Sequence, residues 1–257
     1  PPRSTLFPYT TLFRSDCSQD VELGFDFTMA FQPIVNINTG QIFAHEALVR
    51  GLNNESSGQV FQYVNEQNRY RFDQICRVKA IELAAQLKID CLLSINFMAN
   101  AICDPKLCIQ TTLEAAELYE FPLKQILFEI TEGEKVENLP LTQSIICHYQ
   151  SSGFLTAIDD FGSGYAGLSL LADLQTDLIK LDIALVRDIH TSKSKQAIVK
   201  GILQVCRDLN IQIIAEGIET RDELNILRDF GVELFQGYFF AKPAFRALAE
   251  VYQNALT

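Results

Sequence analysis

Eight strand-length apolar runs recur along the chain, most of them separated by helix-patterned stretches, and this alternation restricts the fold more than any other feature. The runs are MAFQPIVN (29–36), IFAHEALVR (42–50), CLLSINF (91–97), ILFEIT (126–131), FLTAIDD (154–160), LIKLD (178–182), IQIIAEGI (211–218) and LFQGYFF (234–240). Each is rich in β-branched or aromatic residues, as a buried strand requires. Helical patterns between them include 77–87 and 194–209; in the second, Ile198, Ile202, Val205 and Leu209 are predicted to share one face. Eight strands with intervening helices in one domain imply an α/β fold, a TIM-like (β/α)8 barrel, more than an open sheet. The first connection, NINTG (36–40), is too short for a helix and reads as a hairpin. The first strand is therefore expected to run antiparallel to the second.

Polar residues interrupt these runs at one end only. Glu46, Asn96, Glu129, Asp159, Asp160, Asp182 and Glu216 all fall at or near the C-terminal ends of predicted strands. That rim is where a barrel of this kind gathers its catalytic groups, from several strands at once. Crowded carboxylates repel one another: two unit charges about 4 Å apart cost roughly 4 kcal/mol at an effective dielectric near 20. Either their pKa values rise or cations bind among them. An all-oxygen donor set with one amide, and no histidine or cysteine, favours Mg²⁺ or Mn²⁺ over zinc. Two such ions suit in-line attack on a phosphodiester.

Each residue alone also has a plainer reading. Glu46, Leu48 and Arg50 alternate on one strand face, where the acid and the arginine are compatible with an ion pair or with a metal ligand beside a phosphate clamp. Asp159-Asp160 ahead of Phe161-Gly162-Ser163-Gly164 could simply end a strand and start a turn. Lys180 and Asp182 sit at i, i+2, either as a salt bridge or with the lysine aimed into the acidic bowl. The joint placement is what accident does not readily produce.

Charge and cysteine usage narrow the function further. The formal charge is −11, or −13 without Arg3 and Arg14, which disfavours nucleic acid as a partner. The seven cysteines form no CxxC pair and read as reduced thiols in a cytoplasmic protein. No apolar run approaches the length of a membrane span. Residues 1–15 stand apart: TLFPYTTLFRS, from Thr5 to Ser15, reads as the in-frame translation of a sequencing adapter, or else as a disordered leader. The folded domain is expected over 16–257.

From about Phe27 to Glu250 the chain resembles the EAL domain, the bacterial cyclic di-GMP phosphodiesterase. The naming tripeptide is Glu46-Ala47-Leu48, followed in the family's order by LSINF, FEITE, IDDFGSGYAGLSLL, IKLD, IAEGIET and FQGYFFAKP. The resemblance implies that Glu46, Asn96, Glu129, Asp159, Asp160 and Glu216 hold two Mg²⁺ or Mn²⁺ ions, with Asp160 as the bridge. It implies that Lys180 and Asp182 order the attacking water, with Glu216 also counted in the catalytic set. Glu132 and Glu219 would support the aspartate loop and the outer metal shell. Gln32, Leu48, Arg50 and Gln236 would line the substrate cleft, Arg50 on a phosphate. The implied product is linear pGpG, and a homodimer is expected. The loop carries Ser163, Ala166 and Gly167 where many members have threonine and serines. In this it resembles EAL domains attached to blue-light flavin sensors, so a lost N-terminal sensor domain is a further expectation. Two rival readings share part of the pattern. One is a non-catalytic EAL domain that binds cyclic di-GMP or a protein; the other is a barrel enzyme using Mg²⁺ to stabilise an enolate.

Overall fold

The computed structural model describes residues 23–98, 105–131, 138–163, 167–252 and 255. All eight expected strands form. They are β1 (Thr28–Asn36), β2 (Gln41–Arg50), β3 (Leu92–Phe97), β4 (Ile126–Thr131), β5 (Leu155–Phe161), β6 (Leu178–Leu181), β7 (Gln212–Ala215) and β8 (Leu234–Phe235). β2 through β8 pair in parallel in sequence order, and β1 closes the ring by pairing antiparallel with both β2 and β8. The hairpin between β1 and β2 is built by Asn36, whose Oδ1 accepts the amides of Asn38 and Thr39 while its carbonyl accepts Gly40 N. Gly40 takes φ +69°, a conformation that side chains with a Cβ disfavour. A short strand the sequence did not announce, β9 (Ala244–Phe245), adds to the outer edge of β1.

The helices are α1 (Ser57–Phe61), α2 (Arg69–Gln86), α3 (Pro105–Leu118), α4 (Leu139–Ser151), α5 (Gly167–Asp173), α6 (Ile183–Val186), α7 (Lys193–Leu209) and α8 (Arg221–Asp229). Two differ from expectation. α2 starts eight residues before the predicted 77, because Arg69, Arg71 and Asp73 interrupt the apolar face on which Phe72, Cys76, Val78 and Ile81 are buried. In α7 the buried face is Val199, Ile202, Leu203 and Cys206, whereas Ile198 and Leu209 are exposed. The buried stripe takes Val199 in place of Ile198 and Cys206 in place of Val205, each one residue later than the apolar spacing predicts. Among the described residues, no helix is long and apolar enough to cross a membrane.

Inside the barrel the side chains stack in layers. Ile34, Ala44, Leu127, Ala157, Leu178, Ile214 and Leu234 form an apolar plug, with Leu92 against it. Strand side chains alternate, so the next inward position lies two residues on, or two back on the antiparallel β1. That layer reads Gln32, Glu46, Ser94, Glu129, Asp159, Lys180, Glu216 and Gln236. Every strand contributes one polar group, and all stand on the apolar plug.

Candidate metal centre

Lys180 sits at the middle of this polar layer and is almost fully buried. Its Nζ lies 2.6 Å from Glu216, 2.9 Å from Glu129, 3.0 Å from Asp159 and 3.3 Å from Glu46. Of the two readings the sequence allowed, the lysine is aimed into the acidic bowl, and the salt bridge with Asp182 is not made. Asp182 instead caps α6, accepting Ala184 N at 2.8 Å. Burial alone would lower the lysine's pKa, but Asp159, Glu129, Glu216 and Glu46 hold it well above its ordinary value.

The carboxylates are oriented by neutral donors. Glu46 accepts the Asn96 amide at 2.9 Å and the Gln236 amide at 2.7 Å. Gln236, expected in the substrate cleft, is buried, holds a carboxylate and also borders the second of the two cavities beside the cluster. Glu129 accepts Ser94 Oγ at 2.5 Å and Lys180 at 2.9 Å. Sequence reading passed over Ser94, although its i, i−2 relation to Asn96 puts both on the inner face of β3.

Asp159 and Asp160 both reach the site because β5 carries a bulge. Its register with β6 runs Ile158↔Ile179, then Phe161↔Leu181, so two residues of β5 oppose Lys180 alone. Asp160 sits at φ +55°, an uncommon conformation for a residue with a Cβ. Without the bulge, alternation would send one of the pair to the opposite face.

The charge in this cluster is not balanced by protein. Five carboxylates (Glu46, Glu129, Asp159, Asp160, Glu216) surround one ammonium, leaving four negative charges if all are ionised. Two divalent cations would cancel them. Burial first, then repulsion from neighbouring acids, pushes Glu129 and Glu216 well above the carboxylate range despite Lys180. Burial and the charges of Asp159 and Asp182 push Asp160 up to about 6. Burial raises Asp159 as well, against the pull of Lys180. Glu46 differs: burial would raise it, but Lys180 with the Gln236 and Asn96 amides holds it below its usual value.

The donors fit divalent ions. Oxygens of Glu46, Glu129 and Asp159 lie within 4.8 Å of one another, as do those of Asp159, Asp160 and Glu216. Asp159 is the residue common to both groups, where Asp160 was the expected bridge. Asp159 Oδ1 is buried without a well-directed hydrogen bond and faces Lys180 Nζ at 3.0 Å, so the ammonium stands beside the space between the two carboxylate groups.

Two cavities flank the cluster, and Glu46 and Asp160 line both. The first, about 420 Å³, is largely apolar and includes Leu48, Phe72, Asp73, Phe97 and Met98. The second, about 310 Å³, is walled by Gln32, Asp182, Glu219, Gln236 and Tyr238. Gln32 donates to the Ala241 carbonyl at 3.1 Å. Arg50 lines neither cavity; its guanidinium donates to the Val49 carbonyl at 2.7 Å. Glu219 forms a bidentate pair with Arg187 at 2.5 and 2.6 Å. Glu132 lies outside the described residues.

A sequence model of the EAL domain matches residues 14–243. The chain belongs to the EAL domain family. Among its EAL relatives, the blue light- and temperature-regulated antirepressor BluF of Escherichia coli is 30% identical over 223 residues, covering 86% of this chain and 55% of BluF. The E. coli cyclic di-GMP phosphodiesterase PdeR is 37% identical over 155 residues, covering 60% of this chain and 23% of PdeR. The chain thus spans about half of one and a quarter of the other. The crystal structure of a standalone versatile EAL protein from Vibrio cholerae O395, in its c-di-GMP-bound form, superposes with a TM-score of 0.88 at 56% identity. That match covers 93% of this chain and all of that one. A manganese/cy-diGMP complex of Klebsiella pneumoniae BlrP1 superposes at 0.83 with 35% identity, covering 91% of this chain and 59% of that one. Both the family and the barrel fold expected from sequence are thereby established.

Proposed function

We propose that this EAL domain hydrolyses cyclic di-GMP to linear pGpG with the aid of Mg²⁺ or Mn²⁺. The observation that carries the reading is the inward polar layer, whose excess negative charge matches two divalent ions. Glu46, Asn96, Glu129 and Asp159 would hold one, and Asp159, Asp160 and Glu216 the other, with Asp159 shared. Cations bound there would polarise the scissile phosphate and lower the pKa of an attacking water. Lys180 and Asp182, from the end of β6, are assigned to order that water. Leu48 and Gln32 supply walls of the two cavities, one for each half of a two-fold substrate. Arg50 reaches a phosphate only by leaving the Val49 carbonyl. Glu219 supports the aspartate loop indirectly: it grips Arg187, just beyond α6, whose Leu185 packs against Gly162 of that loop. Glu132 is assigned the same supporting role.

A homodimer and a cytoplasmic location belong to the same proposal. Free thiols at Cys76, Cys91, Cys108, Cys147 and Cys206 support the location. A sensor domain ahead of this one belongs to the same proposal, on the likeness to BluF, of which the chain covers 55%. A receptor on the same barrel has no need of every ligand, and here each strand's inward polar residue is present.

The test is chromatographic: purified protein with cyclic di-GMP in Mg²⁺, Mn²⁺ or EDTA. Conversion to pGpG in metal, and none in EDTA, is the expected result. Tight nucleotide binding with no turnover in either metal would replace the hydrolase by a receptor. Gel filtration of the same preparation tests the dimer.

A further inference from the structure

Asp73 and Arg77, one turn apart on α2, form an ion pair at 2.5 Å that is almost wholly buried. Their contacts run in two directions. Arg77 Nη1 donates to the Cys108 carbonyl at 2.9 Å and lies 3.4 Å from Thr112 Oγ1 and from Tyr149 Oη, fixing the pair to α3 and α4. Asp73 Oδ1 accepts the backbone amide of Met98 at 3.0 Å. Met98 is the first residue beyond β3, two after Asn96.

The end of β3 needs such an anchor. Its pairing with β2 stops at Ala47↔Ile95, so Asn96 and Phe97 have no ladder partner on that edge, although Asn96↔Glu129 and Phe97↔Ile130 pair on the other. Asn96 nevertheless has to present its amide to Glu46 at 2.9 Å. Apolar side chains of similar volume would pack α2 at least as well, because burying two charges carries a desolvation cost of several kcal/mol per ion. They could not accept a hydrogen bond from Met98.

We infer that Asp73 is a positioning residue for the metal centre: held by Arg77, it pins the open edge of β3 and thereby sets the Asn96 amide beside Glu46. The inference rests on the proposed function, in which Asn96 and Glu46 are cation ligands. Two charge-neutral double variants test it. Asp73→Leu with Arg77→Met removes the ion pair and the acceptor for Met98. Asp73→Asn with Arg77→Met removes the same charges but keeps an oxygen there. Neither leaves a lone buried ion, and thermal melts followed by circular dichroism verify folding. Mn²⁺ affinity is read from the free-ion electron paramagnetic resonance signal.

The Leu/Met variant should lose about tenfold in Mn²⁺ affinity, the scale of outer-shell effects at metal sites, and the Asn/Met variant should stay within about twofold. In an Asn96→Ala background the Leu/Met change should cost no further affinity. Equal affinity across the series, or the same tenfold loss without Asn96, overturns the positioning role. If wild type binds no Mn²⁺, the metal centre falls and the inference with it. If wild type binds Mn²⁺ and Glu46→Ala abolishes binding while the Asp73 variants do not weaken it, only the positioning role falls.

Discussion

Replacing Lys180 by methionine removes the one ammonium among four carboxylates at 2.6–3.3 Å while keeping an unbranched side chain one atom shorter. In EDTA the cluster can recover that charge by taking up one extra proton. The unfolded chain binds that proton only near the ordinary glutamate value of 4.5. At pH 7.5 the cost relative to the unfolded state is then about 4 kcal/mol, at about 1.4 kcal/mol per pH unit above 4.5. This is a ceiling, since the variant is also relieved of burying the ammonium. The sign follows from proton counting. Above pH 4.5 the folded variant holds a proton that its unfolded chain lacks, so its stability deficit shrinks as pH falls, to about 1.4 kcal/mol at pH 5.5. For a chain of this size the deficit at pH 7.5 corresponds to a Tm lower by up to about 8–16 °C. Thermal unfolding of wild type and Lys180→Met in EDTA at pH 5.5, 6.5 and 7.5 measures it. Hydrolysis by the variant in Mn²⁺ should fall by about 10²-fold or more. A Tm difference that does not change with pH would falsify the assignment of Lys180 as the internal counter-charge.

Three further outcomes are expected. Glu46→Ala should abolish metal-dependent hydrolysis with little effect on the melting temperature; near-full activity would mean the metal centre is placed wrongly. Gly237→Ala would set a Cβ 2.1 Å from the Ile218 carbonyl oxygen, so the backbone must shift and carry Gln236 off Glu46. That substitution should cost about 1–3 kcal/mol in denaturant unfolding and most of the activity, and wild-type turnover would contradict it. His45 is buried neutral, burial holding its pKa at about 4 against an ordinary 6.5, so the unfolded chain protonates first as pH falls. Stability should drop by about 3 kcal/mol between pH 6.5 and 4, and His45→Leu should lack this component; identical pH profiles for the two proteins would exclude it.

The alternation of strand-length runs with amphipathic stretches determined the barrel, and the short NINTG connection determined its antiparallel first strand. These are local signals: side-chain period, β-branching and a loop too short to hold a helix. The inward acids were legible for the same reason, since a carboxylate closing an apolar run has few places to go in a closed barrel. What the sequence left open depends on contacts between distant segments. The adjacency of Asp159 and Asp160 says nothing of the bulge opposite Lys180 that turns both toward the site. Nor does it say that Asp159 is the carboxylate common to the two candidate ligand groups. At i, i+2 Lys180 and Asp182 were compatible with a salt bridge or with a lysine aimed into the acidic bowl, and tertiary packing decides it by giving the lysine four other acids and the aspartate a helix end. The start of α2 was hidden because Arg69, Arg71 and Asp73 break its apolar pattern, and only partners on α3, α4 and the end of β3 make the burial of Asp73 and Arg77 tolerable. Periodicity records which way a side chain points; whether a charge it carries can be buried is decided by what the rest of the chain brings to meet it.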